Sequence, residues 1–153
     1  MHQLRLNHVL ILFSIIILAV LLVACGSDGE TTTDTGRWYT SGQVQRGNVL
    51  FQANCAVCHG NQAQGLAEDW MARDSAGNLP PPPLNGTAHA WHHPMTVLDQ
   101  VIASGGMPYG GTMPGFAEQL DGQERQEIIA FFQSFWTDEI YSTWQEINNQ
   151  SLR

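Results

Sequence analysis

Cys55, Cys58 and His59 are the side chains best placed to do chemistry, because they fall in one run, Cys55-Ala-Val-Cys-His59. Two thiols at this spacing lie about one helical turn apart, with an imidazole directly after them. This is the C-x-x-C-H pattern of covalent haem attachment. The thiols add across the two vinyl groups of one porphyrin edge, and the histidine then faces the iron from the proximal side. Two other chemistries use similar spacings. A C-x-x-C redox pair belongs in a βαβ context, and a zinc site needs two further ligands. No strand-like alternation and no second C-x-x-C occur in the chain, although His89, His92 and His93 could supply ligands by number.

The elements that must position these groups read as helices. Residues 43–54 lack proline and bring Val44, Gly47, Leu50 and Phe51 onto one side of a helix that leads into Cys55. Residues 60–86 contain several glycines and the run Pro80 to Pro83, an irregular loop with one helical turn expected around Leu66 to Arg73. His93-Pro94 opens a second helix with an apolar face of Val97, Leu98, Val101 and Ile102, and Gly105-Gly106 ends it. A loop rich in Gly, Pro and Met follows, over residues 105–117. Asp121-Gly-Gln-Glu124 then makes a capping-box start to a third helix. Its apolar side is read as Ile128, Phe132 and Phe135, flanked by Ile129, Phe131 and Trp136. Ile140, Trp144 and Ile147 repeat the period and predict a docked helical extension. Three to four short helices joined by long loops make a thin core, which a porphyrin would fill.

From about Gly42 to Trp136 the chain resembles a class I cytochrome c domain. The matching stretches are Arg46 to Gly60, Pro82-Pro-Leu-Asn-Gly86, Gly111-Thr-Met-Pro-Gly-Phe116 and Ile128 to Trp136. The resemblance implies an all-α cytochrome c fold wrapped around one covalent haem c. It implies a methionine from the loop before the last helix as the distal iron ligand, opposite His59. Met113, in Met113-Pro-Gly-Phe116, matches that pattern, and Met107 in Met107-Pro-Tyr is the alternative. It further implies that Pro82 or a neighbour offers a carbonyl to the proximal histidine while Leu84 packs on the haem face. Gly47 and Phe51 are expected to meet Phe131 or Phe132 across a helix crossing, and Trp91 or Tyr109 to reach a haem propionate.

The N-terminus carries a different signal. Val9 to Val23 is apolar except for Ser14, with Arg5 before it and Ala24-Cys25-Gly26 after it. That run of roughly 15 residues is short of the roughly 20 a spanning helix needs, and its flanks are those of a secretory signal. Leu22-Val23-Ala24-Cys25 resembles a bacterial lipobox, which makes Cys25 the lipidated residue. The expected division is a signal peptide over 1–24, a lipidated cysteine and flexible acidic tether over 25–40, and a cytochrome domain with helical extension over 41–153. The polar stretch 26–36 would span roughly 18 Å as a coil.

Six basic residues, all arginine, face 14 acidic ones, a net charge of −8. Such a chain is a poor nucleic-acid ligand and suits a redox partner with a basic docking patch. The expected function is one-electron transfer in a respiratory or related chain, by a monomer or a subunit of a larger membrane oxidoreductase. The protein would not itself be an enzyme, and would sit on the extracytoplasmic, periplasmic face of the membrane. Two alternatives belong to other classes. One is a haem enzyme or gas sensor lacking Met ligation. The other is a copper-handling accessory protein built on His89, His92 and His93.

Overall fold

The computed structural model describes residues 36–153, so the expected leader and lipobox and most of the expected tether lie outside the described residues. The described residues form no strand. Their five α-helices are α1 (Ser41–Asn54), α2 (Ala56–His59), α3 (Met95–Ser104), α4 (Gly122–Gln133) and α5 (Asp138–Ser151), with 3-10 turns at Ala90–His92 and Met107–Tyr109.

Caps set the helix starts. The Thr40 hydroxyl accepts from Gln43 N at 3.2 Å while the Gln43 side chain takes Thr40 N at 2.9 Å. Asp121 and Glu124 make the same reciprocal pair at 2.9 Å in each direction. Each box satisfies two amides that the first turn leaves without partners. Asp121→Ala should therefore cost about 1 kcal/mol of stability, read as a lower denaturant midpoint with an unchanged m-value.

α1 buries only Gly47 and Phe51, so its hold on the domain comes from one crossing with α4. There the Gly47 backbone lies against the Glu127 carbonyl, and the Phe51 and Phe131 rings meet at 5.0 Å. Arg46 Nε donates to buried Glu127 at 2.8 Å across the same crossing. Phe131 is thus the partner of Phe51, while Phe132 turns toward Trp136. α4 buries every residue from Glu127 to Gln133 and ends there. Phe135 is therefore not on the buried stripe: it falls past the helix end, 40% exposed, with its ring edge-on to Phe131.

Two other expectations change. The helical turn around Leu66 to Arg73 does not form. Asp69 takes the Met71 amide at 2.9 Å, and Asp74 takes those of Ala76 and Asn78 at 2.9 and 2.8 Å. These local side-chain bonds compete with helix hydrogen bonding. The packed domain also starts before Ser41. Arg37 lies over the Tyr141 ring at 4.0 Å and donates to the Trp136 carbonyl at 3.1 Å. Trp38 Nε1 donates to Gln133 at 2.7 Å, Trp38 N to the Tyr141 hydroxyl at 2.9 Å, and Tyr39 is buried. Three consecutive large side chains that can pack and hydrogen-bond outweigh the polar composition before them.

Candidate haem centre

The attachment run occupies the single turn α2. Cys55 O accepts from Cys58 N at 3.1 Å and from His59 N at 2.9 Å. Cys55 is buried and Cys58 exposed, and no disulfide joins them. Burial, with the neighbouring Cys58 adding to it, pushes the Cys55 thiol up to about 11. A redox dithiol needs the opposite, a depressed thiol pKa, so the thioredoxin-type reading does not fit.

His59 is 7% exposed, and its Nδ1 lies 2.9 Å from the Pro82 carbonyl oxygen. A carbonyl only accepts, so Nδ1 carries the proton and Nε2 presents a bare lone pair. Nε2 has no hydrogen-bond partner among the described residues. Burial lowers the pKa of His59, with the Pro82 bond opposing it, which keeps the ring neutral. A neutral imidazole with one nitrogen tied to a carbonyl and the other open is the donor a metal requires. These residues fit a covalently held haem.

The Pro82 carbonyl is itself held. Leu84 N and Asn85 N both donate to the Ala63 carbonyl, at 2.7 and 3.1 Å, and Trp136 Nε1 donates to the Leu84 carbonyl at 2.8 Å. Ala63 is fully buried with φ +55°, the one non-glycine residue with positive φ among the described residues. A left-handed alanine persists only where its surroundings over-determine it, and here Gly60 O, Leu84 N and Asn85 N all bond to it. Sequence reasoning missed Ala63 and the Trp136 indole bond. Nothing in an Ala or a Trp signals such a role locally.

The two methionines part company. Met113 is half-buried against the core, and its carbonyl accepts from Gly106 N at 2.9 Å. Met107 sits in the 3-10 turn and is 75% exposed. The loop carrying both folds tightly onto the end of α3. A Cβ on Gly105 would fall 2.5 Å from the Met113 carbonyl oxygen, and one on Gly115 2.7 Å from that of Ala103. Leu84 and Trp91 pack half-buried against the core, and Tyr109 belongs to the same turn as Met107.

The three histidines do not form a metal site. His89 stacks on Trp70 at 5.1 Å, and His92 lies edge-on to Trp91 at 3.7 Å. Only His89 and His93 pair, at 5.5 Å between ring centroids. Among the described residues no group of three or more His, Cys, Asp or Glu could hold a metal ion. The copper-handling reading finds no three-ligand site here, with His89 and His92 each against a tryptophan and His93 against His89 alone. A concavity of about 630 Å³ in the 67–80 loop is lined by Glu68, Asp69, Arg73 and Asp74, and by none of Cys55, Cys58, His59 or Met113. Its charged lining is unsuited to a porphyrin.

An all-α domain with a C-x-x-C-H turn and a carbonyl-fixed proximal histidine defines a class I c-type cytochrome, whose cofactor is covalent haem c. The family model described as cytochrome c oxidase, cbb3-type, subunit III matches residues 42–132, and the chain belongs to that family. It is 29% identical over 133 residues to the cytochrome c subunit of a quinone alcohol dehydrogenase from Gluconobacter oxydans, covering 82% of this chain and 25% of that protein. It is 28% identical over 122 residues to the cbb3-type oxidase subunit CcoP of Azospirillum, covering 72% of this chain and 38% of that one. Cytochrome c-551 of Bacillus subtilis matches at 42% over 52 residues, 33% of this chain and 46% of the relative. The chain thus spans less than half the length of each of these relatives. No solved structure matches it.

Proposed function

We propose that this protein is a one-electron carrier whose iron is held between His59 and Met113. The observation that carries the reading is the half-buried Met113, its backbone pinned by Gly106, in a domain whose proximal histidine is already fixed by Pro82. When bound, haem c supplies a metal that changes by one electron, and Met/His ligation raises its potential. The chain's own work is positional. Pro82 fixes the His59 tautomer, and burial keeps that ring neutral. With haem bound, Met113 would supply the iron's other protein ligand, which would deny that position to oxygen or peroxide and argues for a carrier rather than a catalyst.

Cys25 is the proposed lipid attachment point, on the extracytoplasmic face of the membrane. Among the described residues no helix is long and apolar enough to cross a membrane. The net charge of −8 favours partners with a basic patch, with an association rate that falls as salt rises. Two of the three named relatives are subunits of oxidoreductases, which favours work within, or docked on, a larger membrane complex. Co-purification of a stable partner distinguishes that arrangement from a free shuttle.

Reduced and oxidised spectra test the ligand set. Met113→Ala should lose the Met–iron charge-transfer band and bind carbon monoxide in the reduced form, whereas Met107→Ala keeps the band. The opposite pattern assigns the iron to Met107, and a parent protein without the band points to the enzyme or gas-sensor reading.

A further inference from the structure

The start of α3 lacks a cap of its own. Pro94 stands at the N-cap and makes no side-chain bond to the first turn. The missing acceptor comes from the far end of the sequence: Asn148 Oδ1, on α5, takes the Met95 amide at 2.9 Å. One turn earlier on α5, buried Trp144 donates from Nε1 to the His93 carbonyl at 3.0 Å. Two side chains of α5 therefore grip the two residues that flank Pro94. α5 lies wholly outside the residues 42–132 matched by the family.

The other end of α3 carries the Met113 loop. The Phe116 amide bonds to the Ile102 and Ala103 carbonyls at 3.0 and 3.1 Å, and Ala117 N joins Ala103 at 3.1 Å. Gly105 and Gly115 are packed too closely against that loop and the helix end to admit a Cβ. α3 is thus a short rigid rod with α5 at one end and the methionine loop at the other, tied midway to α4 by Arg125 on Asp99 at 2.8 Å.

We propose that α5 is a strap which, through Asn148 and Trp144, holds α3 in the position that keeps Met113 on the iron. This rests on the reading of Met113 as distal ligand. Asn148 and Trp144 are positioning residues: they bond to the backbone of the α3 start and act on the ligand loop only through that helix.

The test titrates the ferric holoprotein with imidazole, which competes with the distal methionine. Asn148→Ala should bind imidazole about fivefold more tightly, the size of one lost helix cap. Trp144→Phe keeps an aromatic ring but removes the donor and should shift affinity the same way. Asn148→Asp keeps an acceptor and should bind as the parent does. In a Met113→Ala background, where no methionine competes, Asn148→Ala should change nothing. Parent-like affinity in both Asn148→Ala and Trp144→Phe overturns the strap, as does an equal shift in both backgrounds, which would mean general loosening. A Met113→Ala protein that keeps its Met–iron band overturns the ligand assignment instead, a different signature.

Discussion

Gly47→Ala is expected to lower the stability of the domain by roughly 3 kcal/mol, at the upper end for overpacking substitutions. A Cβ built on Gly47 falls 1.8 Å from the Glu127 carbonyl oxygen and 2.4 Å from its carbon. The obstacle is backbone inside α4, so no rotamer change relieves it. α1 must withdraw, and in doing so it opens the Phe51–Phe131 contact and draws Arg46 from Glu127. Buried Glu127 then loses a cation, which leaves its charge less compensated. Alanine's better helix propensity returns only about 1 kcal/mol. Whole domains are stable by roughly 5–15 kcal/mol, so Gly47→Val should leave little folded protein. Gly122→Ala is the internal control, because its nearest atom is the end of the Arg125 side chain at 3.7 Å. Denaturant titration of the holoprotein reads both. A Gly47→Ala midpoint equal to that of Gly122→Ala would mean that the two helices do not cross here.

The double change Cys55→Ser with Cys58→Ser is expected to have the other large effect. A serine hydroxyl does not add to a vinyl group under the conditions that form thioethers, so the haem becomes extractable by acid and organic solvent. On a denaturing gel the haem stain should vanish. Loss should reach the fold as well, because a ligand at a thousandfold its dissociation constant stabilises the native state by about 4 kcal/mol, and covalent attachment holds it at a higher effective concentration still. Far-UV circular dichroism of the double variant should show reduced helix and no cooperative melt. Each single variant retains one thioether and an intermediate position. Haem that stays with the double variant through denaturation would remove the covalent link from the account.

Legibility varied from element to element. The α3 stop at Gly105 and the α4 start at Asp121 were visible because capping acts over a few residues, and those residues carry it in their types. The helical turn expected around Leu66 to Arg73 gives way to bonds from Asp69 and Asp74 to nearby amides, a competition that the aspartates themselves signal. Periodicity puts Phe135 on the buried stripe because the pattern continues past the point where the helix ends. Arg37, Trp38 and Tyr39 read as part of a polar tether because their partners, Gln133, Trp136 and Tyr141, are far along the chain.

Cys55, Cys58 and His59 are neighbours in sequence, so the amino-acid sequence by itself determined that the chain takes covalent haem c within an all-α domain. A spacing of one helical turn survives almost any packing of the rest. Tertiary structure alone decided what surrounds that turn. It put Glu127 beneath Gly47, hung the Pro82 loop on a left-handed Ala63, half-buried one methionine while exposing the other, and brought Asn148 to the head of α3. Such contacts join residues far apart along the chain, and their partners are chosen by which surfaces fit once the helices pack, a condition no local pattern records.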